Sequence, residues 1–224
     1  MTRYVAPLLI GLVGAAILVA LGLWQVQRLA WKEGIIADIE SMIAADPQPL
    51  PRVVDPATQR YQPVALQGEI GEGALYVLVS VKRQGAGWRV ISPFTTEDGR
   101  RVLLDRGFVP AAEKDTPLRA GPAAVLGNLH WPDDRNSATP ENAPQDNTWY
   151  ARDIGPMAEA LQTEPLLVVA SDVDPADARV RPLPVDSAGI PNDHLQYAIT
   201  WFSLAAVWIA MTLAWIRTQA KGKD

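Results

Sequence analysis

Apolar residues are concentrated at the two ends of this chain. No charged residue occurs from position 4 to 27 or from 195 to 216. A helix of about 20 residues spans the roughly 30 Å hydrocarbon core of a bilayer, so each run is long enough to cross it. The pattern predicts two transmembrane helices, over residues 5–29 and 195–216, with one extramembrane domain between them.

The first apolar run has a second interpretation, a cleaved signal peptide. Gly14, Ala15 and Ala16 are small enough for a processing site. The run is longer than the usual apolar region of about 7 to 15 residues, and the basic segment before it contains Arg3 alone. A retained anchor fits these features better.

Helical spacing continues beyond this run, because isoleucines recur three and four positions apart up to residue 43. Prolines 47, 49, 51 and 56 then predict a linker without regular structure. We assign residues 30–60 to a helix extension and this linker. The isoleucines concerned are Ile35, Ile36, Ile39 and Ile43.

Residues 61–193 carry a different pattern, in which short runs of β-branched and aromatic residues alternate with glycine and proline. Asp98-Gly99 is the clearest tight turn. A loop at 132–147, a short helix near 156–161 and a further strand at 165–170 follow. The other predicted strands cover 64–70, 74–81, 88–95, 102–109 and 123–131.

These elements predict a membrane α+β protein, in which N- and C-terminal transmembrane helices flank an extramembrane domain. The domain is expected to be a mostly antiparallel β barrel or sandwich. Basic residues flank the membrane helices, and such residues favour the cytoplasmic side. Both termini are therefore predicted to be cytoplasmic and the domain external. The flanking basic residues are Arg3, Arg217, Lys221 and Lys223.

Charge and composition exclude several functions. The chain has a formal charge of −5, and since its ends are basic, the portion between them is more acidic still. An acidic domain is a poor nucleic-acid binder. The chain has no cysteine and therefore no thiol nucleophile, and with only His130 and His194 a histidine-based metal site would need carboxylates to complete it. No nucleophile or phosphate-binding motif occurs, so enzymatic activity is not expected.

His194 is the candidate ligand with the clearest context. Trp201, Trp208 and Trp215 follow it at intervals of seven and share its helix face, and Tyr197 joins that face. An imidazole above an aromatic surface suits haem, whose iron takes an axial histidine. Interfacial anchoring of the aromatic side chains and ordinary helix packing are the alternatives.

The end of the first helix provides a polar segment at the same predicted membrane face. Trp24 and Gln25 lie there, and Arg28 and Lys32 follow four residues apart. The two basic side chains can pair with haem propionates. Contact with lipid headgroups is the alternative.

Asp105 and Arg106 interrupt an apolar strand with adjacent opposite charges. Neighbours on a strand point to opposite faces, so the two cannot simply pair with each other. Gly107 predicts a bulge or a close backbone approach. A structural polar network is expected here, and a functional site is the alternative.

Taken in order, several motifs resemble the Surfeit locus protein 1 family, assembly factors of haem–copper cytochrome oxidases. The resemblance covers nearly the whole chain. Asp105 stands where many members have asparagine, and residues 132–147 match no family feature. The motifs are Trp24-Gln25 with Arg28 and Lys32, Gly68, Pro93-Phe94, Gly99, Arg106-Gly107-Phe108-Val109-Pro110, Trp149 with Asp153 and Met157, and Asn192 with His194-Leu195, Tyr197-Ala198 and Thr200-Trp201-Phe202.

The resemblance implies a bacterial inner-membrane protein with a periplasmic domain. It also implies binding of haem a, with His194 as the iron ligand, and handover of the haem to the catalytic subunit. Oxidase subunit I and haem a synthesis or other assembly factors are the implied partners.

Two other functions are open on the sequence. A scaffold would stabilise subunit I or a respiratory supercomplex without touching haem. An anchored hydrolase on the outer face is disfavoured, because two histidines do not provide a set of acid, base and nucleophile.

Overall fold

The computed structural model describes residues 2–114 and 116–221, with side chains over residues 5–114 and 116–219. The chain divides into two compact units, one formed by Met1–Asp38 with Ser187–Asp224 and the other by Ile39–Asp186. The elements in chain order are α1 (Thr2–Ile43), β1 (Gln48–Pro49), α2 (Pro56–Gln59), β2 (Pro63–Ile70), β3 (Leu75–Val81), β4 (Gly85–Thr96), β5 (Arg101–Pro110), β6 (Gly121–His130), α3 (Ile154–Leu161), β7 (Leu167–Asp174) and α4 (His194–Lys221).

Helices α1 and α4 account for the two apolar ends of the sequence. Each contains a stretch long and apolar enough to cross a membrane, over Val5–Ile43 and His194–Gln219. Most side chains of these stretches are exposed in the protein alone, as expected where lipid is the solvent. Helix α1 continues without a break through Ile43, as the isoleucine spacing predicted.

The strands form a closed barrel rather than a sandwich. Neighbouring strands run in the order β2-β6-β7-β5-β4, and β4 pairs back onto β2, with Ile70 opposite Phe94. Strands β1 and β3 extend the sheet outside this circuit. Most pairings are antiparallel, while β5–β7 and β1–β2 are parallel. The predicted membrane α+β fold with a mostly antiparallel domain is confirmed.

Two apolar clusters stabilise the domain from opposite faces of the sheet. The first draws on all five strands of the circuit and includes Leu104 and Val168. The second includes the sequence neighbours Leu103 and Leu167, which point the other way and are covered by Trp149 and helix α3. Strands β5 and β7 are therefore buried on both faces, which explains their continuous apolar runs.

The proline-rich segment differs from its prediction as a linker without regular structure. Gln48 and Pro49 pair in parallel with Val64 and Ala65, and helix α2 follows with Asp55 as its N-cap. Proline is compatible with both positions, because an edge strand does not need every N–H group and the first helical turn has unpaired N–H groups anyway.

Candidate functional site

Helices α1 and α4 pack through glycines. A Cβ atom on Gly14 would lie 2.5 Å from Nε1 of Trp208, and one on Gly22 would lie 2.7 Å from the Phe202 ring. Gly22 follows Gly14 in α1, whereas its contact Phe202 precedes Trp208 in α4, so the two helices are antiparallel. Small residues allow such close approach in membranes.

Trp208 takes part in this helix packing. Its indole N–H donates a hydrogen bond to the backbone carbonyl of Gly11 over 3.0 Å. The ring also borders an apolar groove of about 460 Å³, which is lined by Gly14, Ile17, Leu18, Leu204, Val207, Trp208 and Met211. Trp208 therefore contributes to the contact between the two helices.

His194 and Gln25 are brought together from opposite ends of the sequence. Nδ1 of His194 donates to Oε1 of Gln25 over 2.8 Å. Gln25 is only 8% exposed, and His194 is half-buried. Within residues 2–114 and 116–221, Nε2 of His194 has no hydrogen-bond partner. The imidazole is therefore fixed through one nitrogen and leaves the other available.

The remaining predicted residues on α1 are more exposed. Trp24 has 53% of its surface accessible. The guanidinium of Arg28 lies 4.0 Å from the centre of the Trp31 ring, a cation–π contact that holds its plane on an aromatic face. Lys32 is half-buried on the next turn.

On α4, the aromatic residues separate into different environments. Tyr197 is 54% exposed, whereas Trp201 is half-buried. The neighbouring small residues Ala198 and Ala205 are buried. Among the predicted site residues, His194 and Gln25 share a direct hydrogen bond. The other predicted residues lie near this pair in the sequence of α1 or α4.

In the barrel domain, Asp105 is the centre of a buried ionic network. Its Oδ2 lies 3.0 Å from Arg89 and 3.4 Å from Arg152, and its Oδ1 accepts the Gly107 N–H. Arg152 also binds Asp134 over 2.7 Å. Burial raises the pKa of the Asp105 carboxyl, and the two arginines oppose that shift. The expected structural network is present.

Arg106 points into a second network, as expected for a strand neighbour of Asp105. Strand β5 carries a bulge here, since Val90 pairs with Gly107 and Ile91 pairs with Asp105, which leaves Arg106 without a cross-strand partner. Gly107 has φ +116, and a Cβ there would lie 2.7 Å from the backbone carbonyl carbon of Arg181. The predictions of a bulge and of a close backbone approach are both confirmed.

The partner of Arg106 is Asp177. Burial by itself raises the pKa of the Asp177 carboxyl, but hydrogen bonds from the Arg179 side chain and from the N–H groups of Arg119 and Arg179 outweigh it and lower the pKa to about 2. Asp177 is therefore ionised, and its hydrogen bonds come from Arg119 and Arg179, while Arg106 lies 3.7 Å away.

His130 lies in a cleft of about 300 Å³ that also contains Arg89 and Arg152. Its ring packs on Tyr61 at a centroid distance of 5.5 Å. Burial lowers the pKa of His130 to about 4, and nearby arginines contribute to the shift. His130 is therefore neutral near pH 7.

In the part of the chain that the structure describes, no group of three or more histidine, aspartate and glutamate side chains is placed to hold a metal ion. Sequence reasoning did not find Arg89, Arg152 or Asp177. A signal was available for Arg89, because a charged residue inside an apolar predicted strand needs a partner when it is buried.

The fold and these sites define a membrane α+β protein with an extramembrane β barrel. Comparison with known proteins gives its family. A profile of the SURF1 family matches residues 12–206, and the chain belongs to that family. The SURF1 family consists of cytochrome c oxidase assembly factors.

Relatives match over most of their length. The chain is 31% identical to rat Surfeit locus protein 1, with 88% of this chain and 70% of the rat protein covered. It is 31% identical to the human protein of that name, covering 90% of this chain and 74% of the other. A SURF1-like protein of Monosiga brevicollis is also 31% identical, over 90% of this chain and 83% of that protein.

Proposed function

We propose that this chain binds haem a and assists its insertion into the catalytic subunit of a haem–copper cytochrome c oxidase. The site is formed by the His194 end of α4 and the Gln25 end of the apolar stretch of α1. The hydrogen bond between Nδ1 of His194 and Oε1 of Gln25 carries the proposal.

This hydrogen bond suits His194 to ligate iron. A carbonyl oxygen can only accept, so the proton resides on Nδ1 and the lone pair on Nε2. Metal-ligating histidines commonly donate their other N–H to such an acceptor, which fixes the ring and increases its basicity.

Arg28 and Lys32 are the proposed partners of the haem propionates. Arg28 is exposed, and its contact with Trp31 holds the guanidinium plane while its N–H groups remain accessible. Guanidinium groups bind carboxylates through paired hydrogen bonds. Trp24 and Tyr197 contribute exposed aromatic surface to the same proposed site.

The groove beside Trp208 is proposed to take the apolar part of the ligand. Its lining is almost entirely apolar, and it lies between the two membrane-length helices. Trp201 is proposed to pack on the macrocycle. Trp208 borders the groove and also sets the helix spacing that keeps it open, through its bond to Gly11.

We place the protein in the bacterial inner membrane with both termini in the cytoplasm and the barrel in the periplasm. Basic residues beyond both membrane segments support this orientation. The proposed partners are oxidase subunit I and haem a synthesis or other assembly factors. Family membership supports the oxidase as the recipient.

The test is to co-express the chain with a haem a biosynthetic pathway and purify it in mild detergent. We expect the wild type to show a haem a absorption spectrum, and His194→Ala to lose the haem or shift its bands. His130→Ala, which changes the other histidine, is the matched control and should keep the spectrum. A colourless wild type that still copurifies with subunit I would replace haem transfer with a scaffold function.

A further inference from the structure

Arg106 is a buried cation with few partners. It is 4% exposed, and its only ion pair within the described residues joins Nη2 to Oδ2 of Asp177 over 3.7 Å. That distance is longer than a hydrogen bond. A guanidinium has five N–H donors, and none of those of Arg106 has a hydrogen-bond acceptor in residues 2–114 and 116–221. None of its nitrogens is among the fully buried side-chain atoms that lack a partner in the described residues, so these donors reach accessible space.

These donors open onto a cavity. The space has a volume of about 320 Å³ and is lined by Arg106 together with Gly71, Tyr76, Ser92, Leu118 and Arg119. Pockets of about 300 Å³ and above hold small ligands. The cavity therefore combines a buried cation, a second arginine at its exposed edge, and apolar and aromatic walls.

Asp177 does not neutralise the cavity by itself. Its carboxylate accepts from the Arg179 side chain at 3.0 Å and from the Arg119 N–H at 2.8 Å. The hydrogen bonds of Asp177 therefore come from Arg119 and Arg179 and not from Arg106. The charged residues that line the cavity are Arg106, Arg119 and Glu72, and Glu72 lies on its exposed rim.

The bulge in β5 supports a binding role for Arg106 in the cavity. It inserts Arg106 as an extra residue in the strand, and it requires Gly107 at a φ that other residues rarely adopt. Bulges often redirect a side chain next to a binding site. If β5 served only to fill the core, it could pair with β4 along its whole length without a bulge.

We propose that this cavity is a binding site for a carboxylate carried by an apolar group, with Arg106 as the residue that contacts the carboxylate. The fork of the guanidinium matches the two oxygens of a carboxylate. Arg119 adds a second positive charge at the entrance, and Tyr76 and Leu118 contact the apolar part. The site lies in the barrel domain and is independent of the proposed haem site.

The test is isothermal titration of the full chain in mild detergent with benzoate, with benzamide as the neutral analogue of the same shape. We expect saturable binding of benzoate and no binding of benzamide. Inorganic phosphate is the competing oxyanion. Binding of phosphate without benzoate, or equal binding of benzoate and benzamide, overturns the carboxylate assignment.

Variants locate the binding. Arg106→Gln should weaken benzoate binding by about tenfold or more, the factor expected for loss of a charge-assisted hydrogen bond. Arg106→Lys keeps the positive charge but lacks the forked guanidinium, so its affinity for benzoate should lie between those of Arg106→Gln and the wild type. Arg52→Gln, an exposed arginine outside the cavity lining, should bind as the wild type does. Unchanged binding in Arg106→Gln overturns the proposal.

Two further measurements make the result decisive. Arg119→Gln changes a residue on the exposed edge and should weaken binding several-fold even if Arg106→Gln folds poorly, because the N–H group that holds Asp177 belongs to the backbone and remains. Comparison of benzoate with N-acetyl-alanyl-leucine separates the two sources of a carboxylate. Tighter binding of the peptide assigns a polypeptide C-terminus, and tighter binding of benzoate assigns a small acid.

Discussion

Nδ1 of His194 and Oε1 of Gln25 lie 2.8 Å apart and join two motifs separated by 169 positions in the sequence. Gln25 is buried where most polar residues of α1 are exposed. A buried amide needs a partner, and the imidazole provides it. The pair therefore sets both the position and the proton of His194.

The first prediction concerns Gln25. Gln25→Leu removes the acceptor for Nδ1 and lets the imidazole rotate or change tautomer, so haem binding should weaken by about 10- to 100-fold, the usual effect of losing such a partner. Haem retention after purification and titration of the apoprotein measure this. Gln27→Leu, two residues along and exposed, should bind as the wild type does. Equal affinity for both variants would contradict the positioning role of Gln25.

The second prediction concerns the contact between helices. Gly14→Leu places a side chain where Nε1 of Trp208 already lies, so α1 and α4 must separate, at a cost of about 1 to 3 kcal/mol in the free energy of unfolding. Unfolding by increasing SDS in mixed micelles, followed by indole fluorescence, measures the loss. Gly34→Leu is the control in the same helix, because a Cβ at Gly34 has no heavy atom within 4 Å. A loss of equal size at Gly34 would contradict the packing explanation, because leucine favours a helix more than glycine does and meets no neighbour there.

The third prediction concerns the ionic network of the barrel. Asp105→Ala leaves Arg89 and Arg152 without their common buried partner and should lower the free energy of unfolding by about 3 to 5 kcal/mol. Asp105→Asn keeps an oxygen for the Gly107 N–H and should cost less. Urea denaturation of the full chain in mild detergent, followed by circular dichroism, compares them. Glu69→Ala, on an exposed position of β2, should stay within about 0.5 kcal/mol of the wild type.

The fourth prediction concerns pH and His130. Its pKa is lowered from 6.5 to about 4 in the folded protein, so between these values the unfolded chain binds a proton that the folded one does not. The contribution of this group to stability is complete above pH 6.5 and is lost as the pH falls towards 4. The slope approaches about 1.4 kcal/mol per pH unit for one proton.

A variant isolates this effect. His130→Phe keeps an aromatic ring against Tyr61 but does not titrate, so the dependence on pH between 6.5 and 4 should become shallower. Thermal unfolding of the full chain at a series of pH values measures both slopes. Identical slopes in the wild type and the variant would assign the pH dependence to other groups, such as Asp134.

Local patterns were enough for the helices and strands. Uninterrupted apolar runs predicted α1 and α4, and short runs of β-branched residues between turn residues predicted six strands. The exceptions were the short helix α2 and the segment at Gln48–Pro49, whose strand exists only through pairing with Val64 and Ala65, about 16 residues later. A pattern within the segment cannot contain that information.

The sequence by itself determined the membrane-length helices, the β character of the domain, the family motifs, and the rule that Asp105 and Arg106 face different ways. Only the tertiary structure decided that β4 closes onto β2, that Asp105 meets Arg89 and Arg152, and that Arg106 borders a cavity. It also paired His194 with Gln25. The physical reason is range: periodicity and turn chemistry act over a few residues, whereas strand pairing and buried charge pairs join positions that the chain brings together only when it folds.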